Sequence, residues 1–116
     1  MTIRIKKLRL RTIIGIFEWE RKQKQDVMIN ARIEFAGAKA ADTDNIADTF
    51  DYKAMTKQII HTVENTEFFL IEKLAHTLLA QIMDHPLVQA AEVEVDKPGA
   101  LRYVDSVSVS CKADRG

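Results

Sequence analysis

The sequence predicts an α+β domain with the element order β-β-α-α-β-β. Three observations carry this. Four segments, two near each end, alternate apolar and polar residues with a period of two. Two segments between them repeat apolar residues at helical spacing instead. Lastly, the clean alternation of "VEVD" stops at Lys97, Pro98 and Gly99 and restarts at "VSVS", which reads as two strands and a loop. Strands with one apolar and one polar face suit an antiparallel sheet, so the expected architecture is four antiparallel strands with two helices on one face.

Each element has its own reason. Residues 3–11 alternate, but Ile3 and Ile5 fall on odd positions and Leu8 and Leu10 on even ones. A slip of one residue sends side chains to the opposite face, so a β-bulge is expected near Lys6-Lys7. "GIFEWERKQKQ" is a long polar connection. Residues 26–35 then alternate without a slip, with Val27, Ile29, Ala31, Ile33 and Phe35 on one face and Met28, Asn30, Arg32 and Glu34 on the other. Residues 36–51 form a long link with room for a short helical turn. Asp51 is a good N-cap for a helix over about 52–64, whose stripe is Tyr52, Met55, Ile59 and Val63. A second helix over about 71–84 carries Ile71, Leu74, Ala75, Leu78, Leu79 and Ile82, and His85-Pro86 ends it. Ala91, Val93 and Val95 make the third strand; Val107, Val109 and Cys111 alternate with serines in the fourth.

Composition narrows the function classes. The chain has 116 residues, 47% apolar and 29% charged, which suits a single domain over 1–116. Such a chain buries only about two-thirds of its unfolded surface, so a sheet with one bare polar face gains by oligomerising. A formal net charge of zero gives no global field for nucleic acid. The lone Cys111 forms no intrachain disulfide and fits a reducing compartment. No signal-peptide core and no stretch of about 18 apolar residues is present, so no membrane association is expected and the protein reads as cytoplasmic.

Four residues invite a chemical reading beside an ordinary one. Glu72 lies in the first turn of the second helix, about 80° from the centre of its apolar stripe, where a carboxylate is either a ligand anchor or a solvated helix-terminal charge. Tyr52 heads the first helix's stripe and is by default a core tyrosine. Lys97 is a strand-end amine or a solvated lysine. Glu20 sits in the first long loop, an ordinary surface position. His61, His76 and His85 share no metal-ligand spacing, and no phosphate loop or nucleophile elbow is present.

Four pieces in order, "TIIGIFEWERKQKQDVMIN", "TDNIADTFDYKAM", "FFLIEKLAH" and "VEVDKPGALRYVDSVSVS", resemble the dihydroneopterin aldolase family over nearly the whole chain. "LRLRTIIGI" and "DKPGALRYVDSVSV" resemble its bacterial dihydroneopterin triphosphate 2′-epimerase branch more closely than the folate-pathway aldolases. The resemblance implies the tunnelling fold, tetrameric rings paired into homo-octamers, and active sites between subunits. It implies a small-molecule pterin substrate, with no cofactor and no metal. By position it makes Lys97, Tyr52 (from the adjacent subunit) and Glu20 catalytic. Glu72 holds the pterin, helped by the backbone around Phe50 and Ile71, with Gln25 near the substrate side chain. Arg102 is one of several basic residues, with Arg9, Arg11, Arg21, Lys22 and Lys24, that are candidates for a triphosphate.

The implied chemistry is retro-aldol cleavage beside the pterin ring, whose own imine accepts the electron pair. Re-addition to the other face gives the 2′ epimer; escape of the glycolaldehyde piece gives aldolase activity. A folate-pathway aldolase and a non-catalytic pterin-binding module are the alternatives.

Overall fold

Alternation, and nothing subtler, builds the sheet. The computed structural model describes residues 1–116. Strand β1 spans Thr2–Thr12 and β2 Gln25–Phe35; helix α1 spans Ala38–Thr43, followed by a 3₁₀ turn at Ile46–Asp48; α2 spans Tyr52–Asn65 and α3 Ile71–Met83; β3 spans Val88–Pro98 and β4 Ser106–Asp114. The strands are antiparallel in the order β1-β2-β3-β4. The link over 36–51, expected to hold at most one turn, holds α1 and the 3₁₀ turn, neither of which buries a residue. Thr43 and Asp48 join them by a 2.6 Å hydrogen bond.

The phase slip in β1 is a real bulge. Register shifts between Ile5 and Leu8, Lys7 adopts φ 55°, and its backbone N–H donates to the Asn30 side chain at 2.8 Å. Ile3, Ile5, Leu8 and Leu10 therefore all face the helices.

The core lies between one sheet face and α2 and α3. Val27, Ile29, Ile33, Val93 and Val95 meet Ile59, Val63, Leu74, Leu78 and Ile82, all buried. Burying each such side chain contributes about 1.5–3 kcal/mol. Asp51 caps α2 by accepting from the Ala54 N–H at 3.0 Å. The opposite sheet face carries polar residues: Arg32 pairs with Glu34 at 2.9 Å, and Ser108 donates to Glu94 at 3.0 Å. Three strands of eleven residues and one of nine make the molecule long, 51 × 24 × 22 Å. That length separates the two ends of α2, which matters for the site.

Candidate active site

At one end of the sheet the core face continues beyond the helices, and its residues turn polar. Gln25 is in phase with Val27 and Ile29 on β2; Lys97 is in phase with Val93 and Val95 on β3. Lys97 is thus not a strand-end residue in solvent. It pairs across to Val107, and the strand runs on through Pro98 before the chain turns at Gly99.

The Lys97 ammonium donates to Glu20 Oε2 at 2.6 Å, with only 13% and 6% of the two side chains exposed. Glu20 is therefore no surface residue. The Gln25 amide bridges Glu20 Oε2 at 3.2 Å and the Ile14 carbonyl at 2.7 Å, while the Phe17 N–H donates to Glu20 Oε1 at 3.2 Å. Burial by itself raises the Glu20 carboxyl, but the bonds from Lys97, Gln25 and Phe17 together outweigh it and hold the group below its ordinary value. The pair is consequently a fixed carboxylate beside an amine.

Gly15 makes room for it. Its φ is +126°, a region L side chains rarely adopt, and an added Cβ would stand 2.2 Å from the Glu20 carboxylate. Nothing in the sequence apart from the glycine in "IIGI" hints at this. Arg21 is a second surprise. Its guanidinium donates to the carbonyls of Gly15 (3.1 Å), Phe68 (2.7 Å) and Glu67 (3.2 Å) and lies 4.0 Å from the centroid of the Phe69 ring. It fastens the Glu20 loop to the segment leading into α3, and is not free to meet a phosphate.

Across a cleft of about 310 Å³ from Lys97 stand Ile71 and Glu72, with Phe69, Leu70 and Leu101 supplying apolar walls. Glu72 is exposed in the first turn of α3 and makes no ion pair within the chain. The cleft so combines a buried amine–carboxylate pair, an unpaired carboxylate able to accept two parallel N–H bonds, and flat apolar walls. Those are the needs of a planar heterocycle with a reacting side chain.

Of the expected site residues, Glu20, Gln25, Ile71, Glu72 and Lys97 come together. Tyr52 and Phe50 do not join them within one chain. Tyr52 is 63% exposed, not part of the core, and the buried stripe of α2 is Met55, Ile59 and Val63. Tyr52 and Phe50 line a different cavity of about 690 Å³, which shares no residue with the cleft. The reason is α2 itself. Its far end is tied to the Glu20 end of the sheet, where the Thr12 hydroxyl donates to the Val63 carbonyl at 2.6 Å. Tyr52 lies about 16 Å up the helix from there, at about 1.5 Å per residue. Arg102 does not line the cleft either; its guanidinium lies over the exposed Tyr103 ring, 5.9 Å from the centroid.

The model of the family described as FolB, dihydroneopterin aldolase, matches residues 3–112. The chain belongs to the dihydroneopterin aldolase family. Within it, the chain is 46% identical to the dihydroneopterin triphosphate 2′-epimerase of Pseudomonas aeruginosa and 48% identical to that of Escherichia coli K12. Each alignment covers 113 residues, 97% of this chain and 92% or 94% of the relative. The dihydroneopterin aldolase of Escherichia coli K12 is 26% identical over 105 residues, 90% of this chain and 86% of that one. The solved structure of Escherichia coli dihydroneopterin aldolase matches with a TM-score of 0.92, covering 97% of this chain and 98% of that one; at 24% identity this is a likeness of fold. The β-β-α-α-β-β order and four-stranded antiparallel sheet are those of the family.

Proposed function

We propose that the protein is a dihydroneopterin triphosphate 2′-epimerase working by retro-aldol and aldol steps. One observation carries this reading: near-full-length identity of 46–48% to enzymes of that name, against 26% to an aldolase of the same family. The cleft's chemistry supports it. Glu72 accepts the ring N–H and exocyclic amine of the pterin, and the backbone at Ile71 lies beside it. A base takes the 2′-hydroxyl proton; the C1′–C2′ bond breaks, C2′ becomes an aldehyde, and the bond's electron pair passes through C1′ into the ring imine, whose nitrogen gains a proton. Reversal on the other aldehyde face re-forms the bond with C2′ inverted, and the proton returns. Lys97, oriented by Glu20 and Gln25, and Tyr52 share the proton work. Positioned proton transfer of this kind contributes about 10²–10⁴-fold.

Tyr52 and the chain beside Phe50, which is itself fully buried with its ring against Phe35 and His85, reach the cleft from a neighbouring copy. The separation of the two cavities along α2 supports this, as do Tyr52's exposure and the partly exposed outer strands β1 and β4. The assembly is an octamer of two rings, and the setting is the cytoplasm, in keeping with a single unpaired cysteine.

The test is to incubate the purified protein with dihydroneopterin triphosphate and, separately, with dihydroneopterin, and to quantify 2′-epimer and released glycolaldehyde fragment. The triphosphate should give mainly 2′-epimer. Fragment release without epimer, best from the unphosphorylated compound, would make it an aldolase. Binding of pterin without either product would make it a binding module.

A further inference from the structure

The cleft that fits the pterin is wrong for a triphosphate. Its charged groups are Glu20, Glu72 and Lys97, and Lys97 is already held by Glu20. That sums to a net negative wall facing a ligand group of about four negative charges. Of the basic residues nearest in sequence, Lys24, Lys73 and Arg102 make no ion pair and do not line the cleft, and the other three are engaged. Arg21 is spent on three carbonyls, Lys22 is paired to Glu18 at 3.0 Å, and Arg11 is paired to Asp26 at 3.4 Å and bonded to the Lys24 carbonyl. The polar sheet face offers Arg4, Lys6 and Arg32, but Glu92 and Glu94 line the same hollow.

The Tyr52 cavity is different. Lys53 and Lys57 line it one helical turn apart, both exposed, and neither makes an ion pair. The hydroxyls of Thr49 and Thr56 line the same wall. Its single carboxylate, Asp51, is occupied in capping α2. We propose that Lys53 and Lys57 of the neighbouring copy bind the triphosphate, so that the helix turn which delivers Tyr52 to the reacting side chain also delivers the cations for its tail. The inference rests on the shared-site reading above. It follows from substrate connectivity: the triphosphate is attached one carbon beyond C2′, whose hydroxyl proton is part of the work Tyr52 shares, and on the side away from the ring held by Glu72.

Two consequences distinguish this subsite from general attraction. The subunit that holds the ring is not the one that holds the phosphates, so selection for the triphosphate depends on assembly. The lysines also act on specificity and not on the bond-breaking step.

The experiment compares wild type, Lys53→Gln/Lys57→Gln and Lys53→Arg/Lys57→Arg by kcat/KM on dihydroneopterin triphosphate and on dihydroneopterin, with light scattering to confirm equal assembly. Inorganic tripolyphosphate serves as a competing probe. The Gln pair should lower the ratio of the two kcat/KM values about 100-fold, roughly tenfold for each charge-assisted hydrogen bond to phosphate that is removed. The loss should appear in KM, with inhibition by tripolyphosphate disappearing in parallel. The Arg pair should restore most of the ratio. Equal losses on both substrates, or an unchanged ratio with tripolyphosphate still inhibiting, would overturn the assignment. If wild type yields no 2′-epimer from the triphosphate, the functional reading fails first, and that outcome is distinct.

Discussion

Replacing Lys97 by methionine removes one charge and keeps the stem. It leaves the Glu20 carboxylate, 5% exposed, with only the Gln25 amide and the Phe17 N–H. Breaking a buried pair by removing one partner costs about 3–5 kcal/mol, and two surviving hydrogen bonds put this case near the lower figure, about 3 kcal/mol. For a chain of this length that is a fall in Tm of roughly 10 °C. The loss should depend on pH, and its sign is determined. In wild type the Glu20 value lies below 4.5, so the pair's contribution is complete above about 4.5 and fades as pH falls through the folded-state value. In Lys97→Met burial still pushes Glu20 up while the strongest of the influences that lower it is gone, so its value should move upward from that of wild type. The stability gap between the two proteins should therefore be widest at neutral pH and narrow below about pH 4.5. Thermal melts at pH 7.5 and pH 4, at one protein concentration, measure it. A gap of the same size at both values would mean that the uncompensated carboxylate is not its source. Turnover at neutral pH should drop about 10²-fold or more, with epimerisation and fragment release falling together because they share the cleavage step. Epimer lost with fragment release intact would refute the common retro-aldol route.

Gly15→Ala drives a methyl group into the Glu20 carboxylate and strains a backbone at φ +126°, so it should weaken the Glu20–Lys97 pair and reduce turnover about as much as Lys97→Met does, read by kcat and by thermal melt. Glu72→Ala should weaken pterin binding by about 3 kcal/mol or more in fluorescence titration, with little change in Tm because Glu72 has no partner in the chain. Light scattering at micromolar concentration should give a mass near eight chains; a monodisperse monomer would sink the shared site. Cys111, raised above its ordinary value by burial and by the charge of Glu92, should alkylate slowly at pH 8 and faster as pH climbs.

Element order, strand phase and even the bulge at Lys6-Lys7 were determined by the sequence alone, because each depends on residues a few positions apart. That Ile71 and Glu72 stand in the first turn of the second helix was legible for the same reason, whereas the pterin-holding role proposed for them came only from the family resemblance. A further signal was available for two candidate site residues: Gln25 and Lys97 are polar residues in phase with apolar core positions, where a buried polar group needs a partner. What the tertiary structure decided depends on distant partners. Glu20 reads as surface until Lys97, 77 residues away, closes on it. Arg21 reads as a phosphate ligand until the carbonyls of Glu67 and Phe68 take its donors. Tyr52 reads as core until the packing of α2 leaves it outside. Local periodicity cannot place such contacts, because the free energy that selects them comes from folding the whole chain: burial of Glu20 is tolerable only once its three donors arrive together from separate elements.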